Sequence, residues 1–217
     1  MIIAGVDEAG RGPVLGPMVI AIASIDKKDE AILKEIGVKD SKVLSPKQRE
    51  EMFAKLLKAP LEYKIVKIPS HELDKFMDAM SLNEVEAMFT GKLINALKGK
   101  PDRVYIDSPE TGLAKYAAMI RKYLDENNIE LVAENKADST YPIVSAASIL
   151  AKVTRDEEMR KLSEKYGEMG SGYPADPFTM KFLTNWVKDK GKLPEFARAK
   201  WETSKRVLTE NKQRKLF

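Results

Sequence analysis

The sequence of 217 residues predicts an α/β protein: a five-stranded mixed sheet flanked by helices, with a helical extension at the C-terminal end. Three observations carry this. Strand-like runs crowd the first third of the chain, joined by links short enough to reverse direction. A strand–helix–strand–helix order follows, which is the pattern of parallel pairing. Residues 178–217 show only helical patterning, broken at Gly191 and Pro194.

The first strand is the β-branched run over residues 1–6. Asp7-Glu8 ends it, and Gly10, Gly12 and Pro13 break it, so a turn can bring both carboxylates to one end of the sheet. The apolar run over 18–25 forms the second strand, antiparallel to the first. A short helix is expected over 29–36, then the polar loop Lys39-Asp40-Ser41-Lys42. Ser45, Pro46 and Gln48 form a capping box with proline at the first helical position, starting a helix to about residue 58. Residues 61–68 alternate as a half-exposed third strand. Helices follow over 70–80 and, behind the capping box Ser81/Glu84, over 82–97. Residues 103–107 are the fourth strand, ending in Asp107, and Ser108-Pro109 leads to a helix reaching about residue 126. The fifth strand spans 129–134. Residues 135–142 read as a loop containing Asp138, ahead of a long helix over 143–165. A turn-rich loop over 167–177 contains Gly170-Ser171-Gly172-Tyr173-Pro174.

Parallel strands send their C-terminal ends the same way, and ligands of open α/β sheets gather there. Asp7 and Asp107 therefore finish at one edge, and Asp138 can join them. Asp7, Glu8, Asp107 and Asp138 would repel one another unless divalent cations lay among them. Carboxylate oxygens suit Mg2+ or Mn2+, and two such ions can clamp a phosphodiester for in-line attack. The glycine turn next to Asp7, with Arg11 between Gly10 and Gly12, offers backbone N–H groups to phosphate or hydroxyl oxygens.

Composition narrows the chemistry. Cysteine is absent, which excludes disulfides, thiolate nucleophiles and cysteine-ligated zinc. The one histidine, His71, sits at a helix start, leaving carboxylates, lysines and metal-activated water for any hydrolysis. No apolar run approaches a membrane span and no secretory pattern opens the chain, so a cytoplasmic location and no membrane partner are expected. The charge is uneven: residues 179–217 carry 11 basic and 4 acidic side chains, +7 against +4 for the whole chain, leaving −3 for the rest. A basic end on an acidic body suits a polyanion held against a metal site.

Read singly, Asp107 is a strand-end cap, Asp138 a helix-start residue and Tyr173 a packed surface tyrosine. Together the blocks Asp7-Glu8-Ala9-Gly10-Arg11-Gly12-Pro13, Tyr105-Ile106-Asp107-Ser108, Lys136-Ala137-Asp138 with residues 141–152, and residues 170–177 resemble ribonuclease HII in its archaeal form. The match runs in order from Asp7 to about residue 177 and continues weakly through Trp201. The resemblance implies an RNase H-like fold over 1–177 with a basic helical extension over 178–217 packed on the same domain. It implies cleavage of RNA in RNA/DNA hybrids and incision at single ribonucleotides in duplex DNA, leaving 5′-phosphate and 3′-hydroxyl ends. It assigns metal-ligand and catalytic roles to Asp7, Glu8, Asp107 and Asp138. Gly10, Arg11 and Gly12 match the loop that reads the ribose 2′-hydroxyl, and Tyr173 the tyrosine packed on the next deoxyribose. Ser41 and Lys42, with Asp40, match a block near a backbone phosphate. Ser148 and Lys152, spaced i,i+4 on the long helix, pack or contact phosphate. The family often has histidine where Asn135 stands, which changes any role in product release or proton movement.

Residues 213–217 resemble the start of a sliding-clamp-binding peptide, with one aromatic where the full pattern has more; a frayed basic terminus is the other reading. Nothing demands more than a monomer. Two further functions stand beside the nuclease: a phosphotransferase or ATPase using the glycine turn, opposed by the missing P-loop, and a non-catalytic junction-binding module, opposed by four intact carboxylates.

Overall fold

The structure is a computed structural model that describes residues 1–38 and 44–214, the last by its backbone alone. Asp40, Ser41 and Lys42 lie outside the described residues, as do 215–217 of the clamp-like terminus.

Five strands form one sheet in the order β3-β2-β1-β4-β5: β1 (Ile2–Ala9), β2 (Met18–Asp26), β3 (Glu62–Ile68), β4 (Arg103–Asp107) and β5 (Glu130–Glu134). β1 pairs antiparallel with β2 and parallel with β4, and β4 pairs parallel with β5. The helices are α1 (Ala31–Ile36), α2 (Pro46–Leu56), α3 (Ser70–Phe76), α4 (Leu82–Asn95), α5 (Leu113–Arg121), α6 (Ala137–Thr140), α7 (Pro142–Tyr166), α8 (Pro177–Lys190) and α9 (Glu202–Arg214). The sheet and its flanking helices match the predicted class.

Both predicted capping boxes are formed, Ser45 with Gln48 at α2 and Ser81 with Glu84 at α4, each satisfying otherwise orphaned N–H groups. Besides the helix expected over 70–80, which ends at Phe76, three expectations differ. β1 continues through Asp7 and Glu8 to Ala9, because β2 pairs with it as far as Ala9–Val19. Helix α5 ends near Arg121, whose guanidinium caps the Asn127 and Ile129 carbonyls instead of letting the helix run on. The loop before α7 contains α6, entered through Lys136 at φ 59°, the one non-glycine residue with positive φ among those described.

The chain divides into two compact units. The first comprises Met1–Ala9, Val19–Val66 and Ser81–Thr154. Its core joins Ile3, Val19, Ala21 and Ala23 of the sheet to Val144, Ala147, Ile149 and Leu150 of α7. Gly5 explains how α7 comes so near: a Cβ there would lie 2.5 Å from the Ile143 carbonyl and the Val144 nitrogen. The small residues on the first turns of α7 serve this approach. The second unit comprises Gly10–Met18, Lys67–Met80 and Arg155–Phe217. Its core gathers Val14, Leu15, Met159, Met169, Leu183 and Val187, with Phe182, Phe196 and Trp201 against them.

Candidate active site

The register of the first unit sets the carboxylates. β1 and β4 pair in steps from Ile3–Arg103 to Val6–Ile106, and the next residues on the two strands are Asp7 and Asp107. Asp107 is opposite Glu134 on β5, and the chain then turns through Lys136 into α6, which carries Asp138. The Ala137 N–H donates to Asp107 Oδ1 at 2.8 Å and ties α6 to the end of β4. Ser145 on α7 donates to the Asp138 carbonyl and holds α6 from the other side. As a result one carboxylate oxygen from each of Asp7, Asp107 and Asp138 lies within 4.8 Å of the others. Asp7 and Asp138 are buried and Asp107 is half-buried.

Glu8 is not one of the three carboxylates that gather within 4.8 Å. Since β1 runs on to Ala9, neighbouring Asp7 and Glu8 keep the alternation of a strand. The expected turn that would aim both carboxylates to one end begins two residues beyond Glu8, at Gly10.

Burial drives the electrostatics. It pushes the Asp7 carboxyl up to about 7, with Asp107 and Asp138 adding repulsion. A hydrogen bond with the Ser148 side chain and the Glu8 N–H, 2.7 Å from Asp7 Oδ1, pull the other way. Ser148 therefore engages Asp7 directly; Lys152, one helical turn on, is half-buried. An all-oxygen set of crowded carboxylates, one of them raised by burial, fits a hard divalent cation.

Asn135 has a structural task that sequence alone did not disclose. Its Nδ2 donates to the Ser108 carbonyl at 2.8 Å and the Glu110 carbonyl at 2.9 Å, fixing the turn that follows Asp107. Histidine's two ring nitrogens could not both donate to these carbonyls from one position as an amide does.

The second unit contains the 10–12 loop and Tyr173. Val14 and Leu15 N–H groups both donate to the Gly172 carbonyl, at 2.8 and 3.2 Å, joining the loop's end to the tyrosine loop. Gly12 is exposed, and the atoms nearest its missing Cβ are Tyr173 ring carbons at 3.6 and 4.0 Å. Tyr173 is itself 40% exposed, with the Arg155 guanidinium carbon 5.4 Å from its ring centre. Arg155 is buried; it donates to the Ser171 carbonyl at 3.0 Å and occupies the space a Gly10 side chain would need. Gly10 has φ 80°, a conformation that favours glycine. Arg198, also buried, donates to the Gly10, Arg11 and Gly16 carbonyls. Neither buried arginine was among the residues the sequence suggested. Arg155 stands in a charged helix and Arg198 in a basic tail, so nothing in their neighbourhood distinguishes them from surface cations.

Parallel β1, β4 and β5 with an acidic cluster at their ends define a protein of the RNase H-like class, and comparison with known proteins makes the relation specific. The chain belongs to the ribonuclease HII family, whose sequence model matches residues 4–204. Ribonuclease HII of Pyrococcus horikoshii is 46% identical over 207 residues, covering 95% of this chain and 93% of that protein. The enzyme of Methanococcus maripaludis strain C5 is 44% identical over 218 residues, covering 100% and 91%. Among solved structures, ribonuclease H2 from P. horikoshii superposes with a TM-score of 0.91 at 45% identity, covering 98% of this chain and 100% of that one. The RNase HII of Archaeoglobus fulgidus, solved as a PCNA complex, gives 0.84 at 38%, covering 93% and 96%. The Mn2+ complex of Bst-RNase HIII, at 23% identity, TM-score 0.81 and coverage of 98% and 71%, shares the fold. The protein is thus a ribonuclease H, an endonuclease of the hydrolase class. Among the described residues no helix is long and apolar enough to cross a membrane.

Proposed function

We propose that this enzyme cleaves the RNA strand of RNA/DNA hybrids and nicks duplex DNA on the 5′ side of single embedded ribonucleotides, leaving 5′-phosphate and 3′-hydroxyl ends. The observation that carries the proposal is the convergence of Asp7, Asp107 and Asp138 within 4.8 Å in a member of this family. These three residues, with Glu8 as the fourth donor, would hold two Mg2+ or Mn2+ ions. When bound, such ions neutralise the carboxylates and lend Lewis acidity to attack on a phosphodiester. The protein's own part is positioning: Ser148 and the Glu8 N–H orient Asp7, while the Ala137 N–H orients Asp107.

Recognition of the junction is assigned to the second unit. Only the 2′-hydroxyl separates RNA from DNA at one nucleotide, and it both donates and accepts. Gly10, Arg11 and Gly12 would meet it with backbone groups, and the exposed ring of Tyr173 would pack on the following deoxyribose, where a hydroxyl would clash. Ser41, Lys42 and Lys152 are assigned to backbone phosphates. The catalytic part is 1–177, and the basic extension over 178–217 draws in the polyanion. A sliding clamp is proposed as partner through 213–217, supported by the glutamine-led pattern and by the PCNA complex of the Archaeoglobus relative. Ribonucleotide excision repair and replication, in a cytoplasmic monomer, are the setting this reading implies.

The test is incision of a labelled DNA duplex with one ribonucleotide, using Mg2+ or Mn2+, then EDTA, beside an all-DNA control. A metal-dependent nick 5′ of the ribonucleotide, absent from the control, is expected. Folded protein that cuts hybrids but leaves this substrate intact would refute junction recognition; no cutting of either would refute the site.

A further inference from the structure

The 10–16 segment is held from one side by a residue near the other end of the chain. Arg198 is 0% exposed. Its Nη1 donates to the Arg11 carbonyl at 2.7 Å, Nη2 to the Gly10 carbonyl and to the Gly16 carbonyl at 3.1 Å, and Nε to the Gly16 carbonyl at 3.3 Å. The backbone around it is fixed as well. Its own N–H donates to the Val14 carbonyl at 2.9 Å, the Gly16 N–H donates to the Phe196 carbonyl at 2.8 Å, and Leu15 and Ala197 form an antiparallel bridge. Trp201 lies 4.8 Å from the guanidinium carbon.

We infer that Arg198 is the positioning residue that presets the donors of the 10–12 loop for the ribose 2′-hydroxyl. This rests on the loop reading proposed above. A trans peptide is planar, with its C=O and N–H pointing in opposite directions. The Gly10 carbonyl shares its peptide with the Arg11 N–H, and the Arg11 carbonyl shares its peptide with the Gly12 N–H. Turning both carbonyls onto one guanidinium therefore turns both N–H groups to the far side. Charge on the carbonyl side also polarises each peptide and strengthens its N–H as a donor. Arginine suits the task because its planar fork presents donors from three separate nitrogens in fixed directions, whereas a lysine ammonium offers its donors from a single atom. Burying a guanidinium is strongly unfavourable, and an apolar side chain would fill the volume without that penalty. What the charge secures is the direction of two peptides.

The experiment compares affinities for a duplex with one ribonucleotide and for the all-DNA duplex, in EDTA so that nothing is cut. The ratio of the two is insensitive to the fraction of protein that is folded. Wild type is expected to prefer the ribonucleotide by about tenfold, the selectivity of one or two hydrogen bonds. Arg198→Lys is expected to bring the ratio to within about twofold of one, with all-DNA binding unchanged because phosphate contacts are untouched. Gly12→Ala, whose methyl would sit against Tyr173, is the control for the loop reading and should also lose the ratio. A full ratio in folded Arg198→Lys, beside a lost ratio in Gly12→Ala, overturns the role of Arg198 alone. A full ratio in Gly12→Ala, or a ratio of one in wild type, overturns the loop reading and this inference with it. If Arg198→Lys does not fold, Trp201→Leu replaces it, removing the ring beside the guanidinium. A ratio reduced about twofold or more supports the inference, on the scale of a cation–π contact, and an unchanged one overturns it.

Discussion

Asp7 answers to two opposing demands. In the proposed role it must be ionised to hold a cation, yet burial and two neighbouring aspartates raise its carboxyl to about 7. The folded state thus retains a proton that the unfolded chain releases near 3.8. The group's contribution to stability is present at low pH and falls as pH rises from about 4 to 7, because the unfolded state binds fewer protons in that window. Asp7→Asn removes the effect. Its melting temperature should vary less between pH 5 and 8 than that of wild type, and exceed it at pH 8 by on the order of 5 °C. Its incision rate should fall by about a hundredfold or more, the loss of several kcal/mol of transition-state stabilisation. Mg2+ should raise the wild-type melting temperature more at pH 8 than at pH 5.5, because metal and proton compete for the same oxygens. The glycines make a second contrast at this scale. Gly10→Ala meets Arg155 at an unfavourable φ and should lose about 1–3 kcal/mol in chemical denaturation, whereas Gly12→Ala should stay near wild type.

At the scale of elements, the decisive contact is α7 crossing Gly5. Gly5→Ala sets a methyl group against helix backbone, which cannot rotate away, and should cost about 1–3 kcal/mol. Because α7 also carries Ser148 and Ser145 to the aspartates, activity should fall further than the folded fraction, as single-turnover incision beside a denaturation curve would reveal. This element shows what the sequence could and could not disclose. The strands, both capping boxes and the meeting of Asp7 with Asp107 were legible, since they follow from local pattern and element order. Helix α6 was not: it depends on Lys136 adopting a left-handed conformation that lysine rarely takes alone. The run of β1 through Glu8 to Ala9 was not legible, because glycine at 10 suggested an earlier turn than the pairing with β2 allows.

For the whole molecule, the basic tail is weaker than its composition suggests. Arg198 is buried, Lys200 pairs with Asp78, Lys205 with Glu202, and Arg206 lies near Glu210. Lys181, Lys188, Lys190 and Lys192 are exposed and available to phosphates. Converting Lys188 and Lys190 to glutamate should flatten the log–log salt dependence of duplex binding by about two, at roughly 0.9 per contact, equally for ribonucleotide and all-DNA duplexes. Deleting 213–217 should abolish capture by an immobilised sliding clamp while leaving incision of a short duplex intact.

The contacts of Arg198 join residues 182 to 188 positions apart. A ribosome making this chain delivers Asp7, Asp107 and Asp138 long before it delivers the arginine that sets the glycine loop. On the reading proposed above, the acidic cluster and the residue that orients the glycine loop are therefore made at different times. A chain halted before residue 198 would carry Asp7, Asp107 and Asp138 without the contacts that hold the Gly10, Arg11 and Gly16 carbonyls.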